Sequence, residues 1–224
     1  MRYRFDLKRL GAAKLNSVPE RAAEPEGLRY GEPTWGVAHL FPLQGTWTES
    51  EYFALETQRR AEFSYGFIEF LPVATLLHLR ILGYLYVALR GFVAAEYLGE
   101  VLFTGVRVRL WPGKFREPDV LFMHVDHAHR MTEEYWEGAD LVMEVVSSGN
   151  EDRRRDLKTK REEYALAGIP EYWIVDPELD HITVLTLEGQ AYVVHGEFKR
   201  GERATSKLLP GFAIDVTSAL APKS

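Results

Sequence analysis

Cysteine is absent from all 224 residues. That excludes disulfides, zinc–thiolate sites and thiol catalysis, and makes a reducing cytoplasm the expected setting. A long apolar run is missing too. The greasiest stretch, near Leu76 to Ala95, is interrupted by His78, Arg80 and Arg90, and reads as a buried helix rather than a membrane span. The start, MRYRFDLKRL, is basic but lacks an apolar segment, so no secretory signal is expected. Nor is there a basic excess. A net charge of −6 argues against a protein that coats nucleic acid non-specifically, while leaving room for a local basic patch beside metal-binding carboxylates. Repeats and low-complexity segments are lacking as well.

The apolar and charged fractions, 46% and 27%, suit one ordinary domain with a good core. Residues 1–45 carry scattered Pro and Gly without a sustained period, and read as an irregular arm ahead of a domain over 46–224. Thr48 and Glu51 have capping-box spacing, which predicts a helix from there to about Glu62. Phe67 to Leu71 reads as a strand and Leu76 to Ala95 as a long helix. Val101 to Leu110 alternates like one half-buried strand, followed by a turn at Trp111–Lys114 into the strand that begins at Asp119. Asp126 to Ala139 reads as loop and short helix. A strand over Asp140–Ser147, a helix over Asn150–Ala167 stopped by Gly168, and a strand over Glu171–Asp176 follow. His181–Leu187 and Ala191–Glu197 form a hairpin, and a short helix closes the chain. The expected fold class is α/β: a mixed β-sheet flanked by helices.

Two carboxylates stand out because each opens onto an apolar strand. Asp119 precedes Val120-Leu121-Phe122-Met123, and Glu144 lies between Leu141-Val142-Met143 and Val145-Val146. An unpaired charge there costs several kcal/mol, roughly, so a metal, a lysine or a chain end must compensate. Asp156, Lys160 and Tyr164 share one helix face at i, i+4 spacing just after the Glu144 strand. Alone, that spacing is an ordinary surface ion pair with an aromatic anchor. Its position over the end of the Glu144 strand gives it chemical interest. Hydrolysis of a phosphodiester needs a positioned water and charge neutralisation, and a hard cation on an Asp and a Glu from adjacent strands meets that need.

The ordered set is Pro118-Asp119, Glu144-Val145-Val146-Ser147, Asp156 with Lys160 and Tyr164, and Gly168 to Pro177. It resembles the Uma-type putative restriction endonucleases, a branch of the PD-(D/E)XK nuclease superfamily. The likeness covers about residues 47–218, through Ile68 to Pro72 and His78 upstream and Leu209 to Phe212 downstream. It implies a restriction endonuclease-like core and a metal-dependent endonuclease acting on DNA. Asp119 and Glu144 become metal ligands, with the Val146 carbonyl as a further ligand, Glu69 as either another ligand or a strand-edge residue facing solvent, and Mg²⁺, or Mn²⁺ in its place, as the ion. Val146 occupies the usual lysine slot. The resemblance puts that lysine at Lys160 on the following helix, with Lys158 as its neighbour to test. Asp156 and Tyr164 then orient Lys160. The turn after the Glu144 strand lacks the proline usual in this branch.

Arg153, Arg154 and Lys158 are candidate phosphate contacts, although most charge runs are solvated helix faces. His124, His127 and His129 have near-zinc spacing but read as a solvated loop, and His78 as a hydrogen-bonded core histidine. Ser147 and Ser148 have no evident histidine partner. Cutting both strands of a duplex is convenient for a homodimer. A competing reading is a non-catalytic nuclease-fold module that binds nucleic acid or a protein partner, because Val146 stands where a lysine is usual and the net charge is acidic.

Overall fold

The computed structural model describes residues 41–57, 59–147, 149 and 153–222. The expected arm over 1–45 lies almost wholly outside the described residues, as do Ser148 and the expected helix start at Asn150. In chain order the elements are α1 (Glu49–Phe53), β1 (Ala61–Ser64), β2 (Phe67–Phe70), α2 (Leu76–Ala95), β3 (Gly99–Phe103), β4 (Val108–Trp111) and β5 (Lys114–Arg116). Then come β6 (Val120–His124), a 3-10 turn (Val125–Arg130), β7 (Trp136–Glu137), β8 (Leu141–Val145) and α3 (Lys160–Leu166), which a π-helical turn (Arg155–Thr159) precedes. β9 (Glu171–Asp176), β10 (His181–Glu188), β11 (Ala191–Lys199), β12 (Arg203–Thr205), β13 (Ala213–Asp215) and α4 (Val216–Leu220) complete the chain.

The main sheet has six strands in the order β11-β10-β9-β8-β6-β3, and a five-stranded sheet runs β2-β1-β5-β4-β7. In the main sheet β8 and β9 are parallel and the other pairs antiparallel. The fold is therefore mixed α/β. Parallel neighbours need a crossover, and the segment carrying α3 supplies it, which lays that helix over the β8 strand.

Alternation along β8 decides what the crossover helix meets. Leu141, Met143 and Val145 point into a core shared with Ile81, Leu85 and Leu89 of α2 and Val216 of α4. Val142 and Val146 point the other way, into a core with Tyr164 and Ala165 of α3, Tyr172 and Ile174. Glu144 has the parity of that second row. Each fully buried apolar side chain contributes roughly 1.5–3 kcal/mol. Two such cores can carry a cluster of buried charges whose desolvation costs several kcal/mol per ion, roughly. By length and composition α2 could cross a membrane, but its Ile81, Leu82, Leu85, Leu89 and Val93 are buried in the domain.

Two expected elements come out differently. The capping box at Thr48 is present, but α1 ends at Phe53, and Ala61 and Glu62, the expected helix end, open a strand that runs to Ser64. Tyr65 and Gly66, at φ 48 and 85, make the tight turn that pairs Phe63 with Ile68. Ala61 and Phe63 then enter a small core with Tyr52 and Phe115, and packing overrides the helix period. The single strand expected over Val101–Leu110 is two, in different sheets: Val101 pairs with Phe122, and Val108 with Arg116. Gly105 at φ 89 turns the chain between them.

Candidate active site

β6 and β8 are antiparallel neighbours with Val120 opposite Met143. That register puts Asp119, one residue before β6, beside the end of β8, where its Oδ2 accepts from the Val145 amide at 2.8 Å. Glu144 lies next along β8. Its Oε1 accepts from the Tyr164 hydroxyl at 2.6 Å and lies 2.9 Å from Lys160 Nζ. Lys160 also stands 3.3 Å from Asp156 Oδ1 and 3.7 Å from Glu62 Oε1. Asp119, Glu144, Asp156 and Lys160 are each only 2% exposed, and all four line one cavity of about 360 Å³ with Arg60, His78 and Arg155.

The π-helical turn has a local role. The Lys160 amide bonds to the Arg155 carbonyl, five residues back, so the turn is one residue wider than an α-helix. Tyr172 hydroxyl donates to the Asp156 carbonyl at 2.8 Å and braces it. The structure thus brings Asp119, Glu144, Asp156, Lys160 and Tyr164 together, with the Val146 side chain buried in the core next to Tyr164. A valine at 146 keeps that core apolar while the ammonium arrives from α3.

Glu69 is not brought to the pair. It lies on β2 with its side chain 53% exposed and receives Arg155 at 2.8 Å. Arg153 is tied to Asp176 at 2.6 Å and Glu178 at 3.0 Å. Arg154 and Lys158 are exposed. His127 of the histidine loop pairs with buried Asp140 at 2.9 Å.

Sequence reasoning missed Glu62, Arg60 and Arg116. Glu62 accepts a short bond from Arg116, whose other side holds Glu163 at 2.7 Å. The signal was the same as at Asp119: a carboxylate between apolar Ala61 and Phe63. Assigning the stretch to helix hid it. His78, read as a core histidine, has Nε2 3.3 Å from Asp119 Oδ2, off the line of a hydrogen bond.

The charges set the protonation states. Burial opposes ionisation of Glu62, but Lys160 and Arg116 outweigh it and hold the carboxyl down at about 2. Asp119 is likewise held well below its usual range, burial being overcome by His78 and Arg60. Burial drives Glu144 up to about 7; Lys160 pulls it down while Asp119 and Asp156 push it up. Lys160 is held above its ordinary value, because Glu144, Asp156 and Glu62 outweigh its own burial. It therefore stays an ammonium and is no base.

These shifts have opposite signs in stability. Glu62 lies below its unfolded value of 4.5, so its contribution is full above that pH and is lost as pH falls toward about 2. Glu144 lies above 4.5, so its contribution is full below that pH and is lost as pH rises through about 7. With chelator present, Tm is expected to fall between about pH 5 and pH 8, and Mn²⁺ to restore it at the alkaline end. Thermal scans of wild type and Glu144→Gln check this; equal slopes in the two would reject the assignment to Glu144.

Among the described residues no three His, Cys, Asp or Glu side chains converge as a ready metal cage. The donors nevertheless fit a hard cation. Asp119 and Glu144 offer carboxylate oxygens at one cavity, and among the described residues the hydrogen bonds to Glu144 fall on Oε1 alone. Mg²⁺ keeps several waters and needs only one or two protein carboxylates.

A mixed sheet that sets an Asp and a Glu side by side on neighbouring strands, under a lysine from the crossover helix, belongs to the class of nuclease folds. The chain belongs to the Uma2 family, described as putative restriction endonuclease, whose model matches residues 49–217. The structure is similar to that of a putative nuclease belonging to DUF820 from Anabaena variabilis ATCC 29413. The TM-score is 0.61 and the identity 16%, over 80% of this chain and 98% of that one. No curated protein matches the sequence.

Proposed function

We propose that the protein is a Mg²⁺-dependent endonuclease that hydrolyses phosphodiester bonds in DNA. The observation that carries this reading is the meeting of Asp119, Glu144 and Lys160 in one cavity, with Lys160 Nζ 2.9 Å from Glu144. Asp119 and Glu144 hold the ion. Bound Mg²⁺ supplies charge neutralisation and an acidified water. Lys160, locked as a cation, donates hydrogen bonds to the attacking water or to the negative charge that develops on the phosphoryl oxygens. Glu62 and Asp156 aim its ammonium, and Tyr164 fixes the Glu144 carboxylate. Arg154 and Lys158, exposed on the same segment, are available to flanking phosphates.

Calorimetry with Mg²⁺ and Mn²⁺, followed by cleavage of a DNA mixture, tests the reading. Wild type is expected to bind and cut, and Asp119→Ala/Glu144→Ala to do neither. Absence of binding by wild type, with and without DNA, would overturn it. One observation favours a second reading, a module that binds without cutting: both carboxylates already carry an internal cation, Arg60 on Asp119 and Lys160 on Glu144. DNA binding that ignores chelator would support that alternative.

A further inference from the structure

We propose that Arg60 is the internal counter-ion of the cation site: it sits on Asp119 until a divalent ion displaces it, and Glu117 is its second seat. The inference rests on the metal-dependent reading above and deepens it by naming the residue that sets metal affinity.

Arg60 precedes β1 and reaches the start of β6. Its Nη1 lies 2.7 Å from Asp119 Oδ1, and its Nη2 donates a short bond to the Glu117 carbonyl. The remaining donor, Nε, is buried without a hydrogen-bond partner. Oε2 of Glu117 is also buried without one. These two orphans stand 3.6 Å apart. An orphaned donor and an orphaned acceptor facing each other across so small a gap mark a hydrogen bond that is prepared but not made.

The geometry of Asp119 gives that bond a use. Its Oδ2 is fixed by the Val145 amide at 2.8 Å, so the carboxylate is held by the sheet whatever happens at Oδ1. Oδ1 is the atom on which the guanidinium rests, and Asp119 lines the cavity that also holds Glu144. A divalent ion and a guanidinium cannot share that oxygen, because like charges a few ångströms apart repel strongly in a buried site. When the ion takes Oδ1, the guanidinium needs to turn only far enough to close the gap to Glu117 Oε2. Arg60 is positioned for this, since it walls both the Asp119 cavity and a second cavity of about 500 Å³ that Glu117 and Arg107 also line. Lys160 does not have to move: it bonds Glu144 and is enclosed by Asp156 and Glu62. A permanent structural ion pair would leave neither Arg60 Nε nor Glu117 Oε2 unsatisfied.

Arg60 is thus a positioning residue. It keeps Asp119 ionised and in place while the site is empty, and it competes with the metal for one oxygen. The test is Mn²⁺ binding by calorimetry on wild type, Arg60→Ala, Arg60→Gln and Glu117→Gln, with Tm measured with and without Mn²⁺. Removing the competitor is expected to tighten Mn²⁺ binding about tenfold in Arg60→Ala and Arg60→Gln. Removing the second seat is expected to weaken it about threefold or more in Glu117→Gln. The Mn²⁺-induced gain in Tm should be larger in Arg60→Ala than in wild type, because the empty variant leaves Asp119 Oδ1 without its guanidinium. Arg60→Gln keeps a hydrogen-bond donor for Asp119 and guards against simple misfolding. Wild-type binding with equal or weaker binding in both Arg60 variants overturns this proposal and leaves the nuclease reading standing. Failure of wild type and both Arg60 variants to bind Mn²⁺ overturns both.

Discussion

A Lys160→Met variant is expected to lose about 3–5 kcal/mol of stability and, assayed where it is still folded, about 10²–10³-fold in cleavage rate. Methionine replaces the apolar stem of the lysine closely, so the change removes little but the ammonium. That ammonium stands within 4 Å of Glu144, Asp156 and Glu62, and all four groups are buried. Without it, three carboxylates face one another with Arg116 as the near cation of Glu62 and Arg155 as that of Asp156. The cluster must then take up protons or open. Urea denaturation measures the first loss, and single-turnover cleavage at saturating Mn²⁺ the second. An unchanged unfolding midpoint would mean the cluster is not what holds α3 to the sheet. Full cleavage would remove the lysine from the chemistry. Lys160→Arg is no safe control, because a planar fork does not fit a pocket shaped for a compact ammonium.

How much of this was readable beforehand varies with the physics involved. Asp119, Glu144 and the Asp156–Lys160–Tyr164 face were legible because each broke a local rule: a charge in an apolar strand, or a polar stripe over a strand end. β9 and α2 were legible to the residue, because their periods were long and their ends marked by polar or glycine residues. Glu62 was not, because the segment before it had a good helix start at Thr48 and nothing local announced the stop at Phe53. Its partners, Arg116 and Lys160, lie 54 and about 100 residues further on. The division of Val101–Leu110 between two sheets escaped for the same reason. Alternation continues through the break, and only the left-handed Gly105 marks the turn. Glu69 illustrates the limit from the other side. Paired with Glu62, it shares that residue's face of the hairpin, but β2 is the sheet edge and β1 lies inside against β5, and a strand position alone does not say which of the two carboxylates is buried.

The site carries its own counter-ions, and this shapes what its carboxylates are for. Asp119 has a backbone amide, a guanidinium and an imidazole around it, so its charge supports the join between β6 and β8 as well as any chemistry. Glu144 has Tyr164 and Lys160 on one oxygen, and its ionisation is disfavoured in the empty protein. The cation proposed above would give that charge its use.

Glu144→Gln separates the two roles. The amide is nearly isosteric, and its carbonyl oxygen can still accept from Tyr164 and Lys160, so the packing of α3 on β8 has no reason to change. What disappears is the negative charge. Cleavage is expected to fall by at least about 10³-fold, because both the hold on the cation and the neutralisation it brings are lost together. Mn²⁺ binding should fall with it, while metal-free stability near pH 8 is expected to rise by roughly 2–3 kcal/mol, since the amide escapes the ionisation that the buried carboxyl undergoes above about 7. Calorimetry, single-turnover cleavage and urea denaturation on the same preparation read all three. Retained cleavage would move the catalytic charge elsewhere in the cavity. A collapse in stability as large as that of Lys160→Met would make Glu144 a structural partner of the lysine, and the pairing with Asp119 a consequence of folding rather than the basis of the chemistry.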